Sequence, residues 1–192
     1  MSVSGDSPSA SSPGDTAADA EPPERTSERL VVTIVREDGD WSVFGVLDDA
    51  IRETAAAVAR HPHNRLGQVS EACIVLGSDA LVRRLNRTYR GKDAATNVLS
   101  FPYQPPPAAA LEHAGESTYL GDVVLAAETV AAEARARVIE PLAHVQHLVL
   151  HGLLHLVGFD HGTEAEARAM EGLETEILAS LGVADPYAEL AS

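Results

Sequence analysis

The sequence predicts an α+β (mixed α/β) domain: a small four-stranded, mostly parallel sheet with about five helices packed around it, one of them a central metal-binding helix. Three observations carry this expectation. Strand-like and helix-like segments alternate as β-α-β-α-β between residues 30 and 101, the pattern of strands joined by crossover helices. The segment from Pro141 to about Val157 is apolar on most sides, which places it in the interior. That same segment carries His151 and His155 and runs on to His161.

Taken in order, residues 1–28 are Ser, Pro, Ala, Asp and Glu with almost no large apolar side chain. Such a stretch cannot bury enough surface to offset ordering entropy, so a disordered extension is expected, with residues 29–192 forming one domain. Leu30–Glu37 is rich in β-branched residues and reads as the first strand. Asp38-Gly39-Asp40 turns the chain. From Val43 to Arg60 the apolar spacing is helical, through Val43, Val46, Leu47, Ala50, Ile51, Thr54 and Val58. His61-Pro62-His63 ends that helix, and both histidines are expected in solvent. Val69–Leu76 reads as the second strand. Ser78 is placed to cap a helix running to about Tyr89 and closed by Gly91. Asn97–Phe101 is the third strand. Residues 104–117, rich in Pro and Ala, read as a surface loop carrying a solvated His113. Tyr119–Leu125 is the fourth strand, and Ala126 to Arg137 an alanine-rich helix. Pro141 suits the first turn of the central helix. Thr163 and Glu166 form a capping box that opens the last helix. Met170, Leu173, Ile177, Leu178 and Leu181 then fall on one face, so Met170 reads as a core residue.

The chemistry concentrates in His151-Gly-Leu-Leu-His155-Leu-Val-Gly158-Phe-Asp160-His161. Histidines four apart on a helix lie about 40° apart around its axis. Both imidazoles can therefore grip one ion from the same side. Gly158 can adopt the left-handed conformation that stops the helix, and His161 then returns as a third ligand. Three nitrogen ligands and an open fourth position are how a catalytic zinc is held. The spacing resembles the metzincin zinc proteases and makes the site zincin-like, with one break: Gly152 stands where those proteases carry their general-base glutamate. His144 and His147 share the helix face, within roughly an 80° arc. His147 reads as a polar residue of the cleft wall and not as a ligand. Asp160 either orients a ligand imidazole or caps the loop.

Net charge is −15, which excludes a general nucleic-acid coat protein. Five of those charges fall in residues 1–28, which hold six acids and one arginine. Against this acidity, Arg83, Arg84, Arg87, Arg90 and Lys92, the chain's single lysine, cluster within ten residues. A local basic patch suits one specific phosphate contact. No apolar run is long enough to span a membrane, and the N-terminus has no secretory pattern. Cys73 is alone and sits in an apolar strand, so it is expected buried and inert in a reducing cytoplasm.

Three stretches together resemble the YbeY endoribonuclease family of metal-dependent rRNA maturation factors. They are Asn86-Arg-Thr-Tyr-Arg90-Gly-Lys92-Asp93 with Thr96-Asn97-Val-Leu-Ser-Phe-Pro102, then Leu120-Gly121-Asp122, then the histidine segment itself. Leu173-Glu-Thr-Glu-Ile and Asp185-Pro-Tyr187 are also similar to the family, so the likeness covers about residues 30 to 190. Ala95 and Phe159 depart from the usual proline and tyrosine. The resemblance implies that His151, His155 and His161 bind one zinc ion and that Arg90 is essential in the cleft. It implies cleavage of single-stranded RNA in the maturation of the small-subunit rRNA 3′ end and in ribosome quality control. The partners it implies are rRNA and the small ribosomal subunit with its proteins, with no DNA and no membrane.

A zinc at such a site lowers the pKa of a bound water to about 7 and acts as a Lewis acid. Arg90 offers a planar fork of donors matched to phosphate. Two other readings have sequence features against them. A zinc peptidase lacks its base at Gly152, and a noncatalytic assembly factor stapled by structural zinc would use four protein ligands.

Overall fold

The computed structural model describes residue 1 and residues 29–66, 69–104 and 117–188. The expectations for residues 2–28 and for the Pro-rich stretch 105–116, His113 included, lie outside them. The chain runs β1 (Leu30–Arg36), α1 (Leu47–Arg60), β2 (Ser70–Gly77), α2 (Asp79–Arg90), β3 (Val98–Pro102), β4 (Thr118–Ala126), α3 (Ala127–Arg137), α4 (Pro141–Leu156) and α5 (Glu164–Ser180). The sheet order is β1-β2-β4-β3. β1, β2 and β4 are parallel, and β3 runs antiparallel to β4 on the edge. The predicted four-stranded, mostly parallel sheet and the five α-helices are therefore present.

Alternation along the strands splits the side chains between two layers. Leu30, Val32, Ala72, Ile74, Leu76, Val123 and Leu125 face the main core, where they meet α1, α3, α4 and α5. On the other face Leu81 and Val82 of α2 pack over Leu99 of β3 and Val124 and Ala126 of β4. α4 is the interior helix: Val145, Val149, Leu150, Leu153 and Leu154 are all fully buried. Each such side chain contributes roughly 1.5–3 kcal/mol by leaving water. The histidines of α4 thus project from a rod clamped along its length.

The helix expected from Val43 begins later. Ser42–Phe44 form a single 3₁₀ turn, Gly45 takes a positive φ of 72°, and α1 starts at Leu47. Trp41 and Phe44 pack ring to ring with centroids 5.0 Å apart and are buried. Val43 and Val46, which continued the periodicity, are left exposed. Burying two aromatic rings outweighs extending the helix by one turn. Cys73 is half-buried, not buried; it lies on the sheet face that α2 covers only in part, and burial together with Asp122 pushes its thiol pKa up. His61 is also more enclosed than expected, with Nε2 3.2 Å from Glu176 Oε2. Among the described residues, no helix is long and apolar enough to cross a membrane.

Candidate metal centre

His151 and His155 lie one turn apart on α4, and their Nε2 atoms are 3.1 Å from each other. His161 joins them from the following loop, its ring 5.5 Å from that of His151 and 5.0 Å from that of His155. One ligand nitrogen from each lies within 4.8 Å of the others. Three imidazole nitrogens converging at this spacing fit a tetrahedral zinc with one position left open.

The convergence has local causes. Gly158 adopts a left-handed φ of 85° and closes α4, its N–H donating to His155 O. The chain then swings back toward the helix. Arg65 secures the turn from below: its guanidinium donates to Gly158 O at 2.7 Å and lies over the Phe159 ring, 3.9 Å from the centroid. Asp160 accepts from His161 N at 2.8 Å, so of its two open roles it takes the loop cap.

Both helical histidines are gripped by their far nitrogen. His155 Nδ1 lies 3.0 Å from Phe159 O, and His151 Nδ1 lies 2.8 Å from Glu174 Oε1. Nδ1 engaged in this way leaves Nε2 to face an ion. Burial holds the His155 pKa below its ordinary value, with His151 and His161 adding to the effect. The neutral, ligand-competent imidazole is favoured accordingly.

Glu174 is fully buried. Its second oxygen meets His147 Nε2 at 3.4 Å and accepts a hydrogen bond from the Tyr187 hydroxyl. Burial alone would push the carboxyl up. Hydrogen bonds from His147, His151 and Tyr187 outweigh it and hold the pKa lowered to about 2. His147 is therefore not the plain cleft-wall residue expected; it shares a carboxylate with His151. A parallel arrangement holds His144, whose Nε2 lies 2.8 Å from Glu133 Oε2, while Glu133 also accepts from Asn97 at 3.0 Å. That chain ties the start of β3 to α3 and α4. Met170 is buried in the core, as its spacing required.

Gly152 faces the sheet. A Cβ built there would stand 2.5 Å from Val123 Cγ1. The position that would carry a peptidase base is pressed against β4 and has no room for a side chain.

Arg90, Ser100, Pro102, His155, Gly158, Phe159, Asp160 and His161 line one cavity of about 460 Å³. Strand alternation places Ser100 and Pro102 on its wall, and the last turn of α2 places Arg90 at its mouth. Arg90 does not pair with Asp93, which is held by both nitrogens of an Arg83 fork at 2.8 and 2.9 Å. Among the described residues Arg90 has no carboxylate partner, and its guanidinium donates only to Ser100 O, at 3.4 Å. A larger cavity of about 650 Å³ opens beside the N-terminal half of α4 and contains none of the three converging histidines.

A family model described as endoribonuclease YbeY matches residues 44–182. The chain belongs to the YbeY endoribonuclease family. The endoribonuclease YbeY of Parvibaculum lavamentivorans is 46% identical over 164 residues, covering 82% of this chain and 85% of that protein. The endoribonuclease YbeY of Azorhizobium caulinodans is 47% identical over 163 residues, covering 83% and 97%. The solution structure of a Thermotoga maritima protein, 20% identical, matches with a TM-score of 0.50 over 79% of this chain and 91% of that one, a likeness of fold. The cleft brings the end of α2 and edge strand β3, neighbours in sequence, together with the distant end of α4 and its loop. Sequence reasoning missed Glu174 and Arg65. Glu174 had a signal, since it falls between Leu173 and Ile177 on the apolar stripe of α5, where an acid is out of place unless it is paired.

Proposed function

We propose that this chain is a zinc-dependent endoribonuclease acting on single-stranded RNA, with the 3′ end of small-subunit rRNA as its natural target. The observation that carries the reading is the opening of one cavity onto His155 and His161 of the histidine cluster and onto Arg90, which has no carboxylate partner among the described residues. Family membership supplies the reaction class. His151, His155 and His161 would hold one zinc ion. Bound there, the ion supplies Lewis acidity and a water made acidic enough to react near neutral pH.

The chain's own residues do the rest. Arg90, free of an acid partner among the described residues, receives a backbone phosphate through its planar fork, where charge builds as the phosphodiester is attacked. Ser100, Pro102 and Phe159 wall the cavity. Glu174 and the Phe159 carbonyl keep the two helical imidazoles aimed. Gly152 supports a nuclease over a peptidase, because the helix offers no carboxylate beside its first ligand. The acidic body favours a defined encounter over sequence-blind coating. The working partners are rRNA and the small ribosomal subunit with its proteins, in the cytoplasm.

The test is metal analysis of the purified protein together with cleavage of a single-stranded rRNA fragment, with and without chelator. One equivalent of zinc is expected, with cleavage lost on chelation and restored by zinc. Metal-loaded protein that binds ribosomal subunits yet never cuts RNA would overturn the nuclease reading.

A further inference from the structure

Glu174 accepts from three directions, and the arrangement admits one assignment of protons. An ionised carboxylate has no proton to give, so each of its partners must be a donor. The Tyr187 hydroxyl donates to Oε2. His147 approaches the same oxygen with Nε2 at 3.4 Å, and its Nδ1 is buried with no partner among the described residues. That is the pattern of an imidazole protonated on Nε2 alone. His151 approaches Oε1 with Nδ1 at 2.8 Å, so its proton is on Nδ1 and its Nε2 carries a free lone pair. That lone pair points toward His155 Nε2, 3.1 Å away.

We propose that Glu174 is a positioning residue that locks His151 in the Nδ1–H tautomer with Nε2 aimed at the metal, and that Tyr187, in the segment after the last helix, holds Glu174 to that role. The geometry favours this over a purely structural buried acid. Glu174 sits on the apolar face of α5, where leucine would pack as well and avoid the cost of burying a charge. Among the described residues the carboxylate finds its partners only on α4 and at Tyr187, and the shortest His contact is to a converging histidine. Tyr187 reaches both Glu174 and His147, its hydroxyl 3.4 Å from His147 Nε2. The end of the described chain is thereby joined to the first metal ligand through one side chain. Carboxylate–histidine pairs of this kind orient ligands and raise their basicity at metal sites.

The inference rests on the metal reading above, and its test separates the two. Imidazole nitrogen-15 spectra of the metal-free full chain report the His151 tautomer directly. Wild type is expected as Nδ1–H and Glu174→Gln as a mixture of tautomers. Zinc affinity, measured by competition against a chelator, is expected to fall roughly 10- to 100-fold in Glu174→Gln. Tyr187→Phe should lose less affinity, since His147 still approaches the same carboxylate oxygen. Should Glu174→Gln fail to fold, the wild-type tautomer and the Tyr187→Phe affinity decide the matter. An Nε2–H tautomer in wild type overturns the inference. So does zinc affinity unchanged in both variants while wild type binds tightly. A wild-type chain that takes up no zinc overturns the metal reading, and the tautomer spectra still judge Glu174.

Discussion

Gly152 of α4 sits so close to Val123 of β4 that a Cβ on the glycine would lie 2.5 Å from Val123 Cγ1 and 2.8 Å from Cγ2. The helix that carries the first two converging histidines can approach the sheet only because this position is bare. Gly152→Ala should therefore destabilise the fold by about 1–3 kcal/mol, the usual cost of overpacking, despite alanine's better helix propensity. Adding Val123→Ala should recover much of the loss. Urea titrations of the two single variants and the double variant give the coupling; if the two effects simply add, the contact is not what limits the helix.

His155→Ala should remove about one equivalent of zinc and abolish RNA cleavage while the core stays folded. The reading follows from Nε2 facing His151 at 3.1 Å and Nδ1 held by Phe159 O at 3.0 Å. Full metal occupancy in that variant, measured by elemental analysis, would sink the ligand assignment.

Arg90→Ala should keep its zinc and melt close to wild type, since exposed substitutions usually change stability by less than about 0.5 kcal/mol. Cleavage should fall by about 100-fold or more, the typical loss on removing one stabilising donor. Arg90→Lys should recover only part, because a point charge lacks the fork. Cleavage at the wild-type rate in Arg90→Ala would leave the phosphate without its clamp.

Stability of the metal-free protein should fall with acid in two windows. His144 and His155 are held below the ordinary histidine value, in both cases mainly by burial. Their unfolded forms take up protons first, so this contribution is complete above about pH 6.5 and declines below it. Glu174 titrates at about 2 in the fold against an ordinary 4.5. Its contribution is complete above about pH 4.5 and is lost as the pH drops toward 2. Urea midpoints measured from about pH 8 downward check both windows, and His144→Gln should flatten the upper one. A wild-type midpoint that stays constant from about pH 7 to about pH 5 contradicts the histidine assignment.

The features legible in the sequence are those whose cause is local. The spacing of His151, His155 and His161, the helix stop at Gly158 and the capping box of Thr163 and Glu166 each depend on a few neighbouring residues. Arg90 was reachable through its motif, though only the fold brings it to the cavity. Glu174 stands out in the sequence as an acid on an apolar stripe, but its role was not legible, because that comes from His151, 23 residues earlier, and from Tyr187 beyond the helix. The start of α1 was misplaced for a similar reason. Periodicity through Val43 and Val46 competes with the burial of Trp41 and Phe44, and the pattern alone does not weigh the two.

The strand order β1-β2-β4-β3 also sets a timetable for synthesis. Val98–Pro102 is made before Thr118–Ala126, yet among the described strands it pairs with β4 alone. At about 5–20 residues per second, this segment waits on the order of a second or more on the ribosome with its backbone unpaired. Its five-residue length and terminal proline make it a poor template for other chains during that wait. The wall of the cleft is thus translated early and finished late, and the imidazoles that face it emerge only once the sheet is complete.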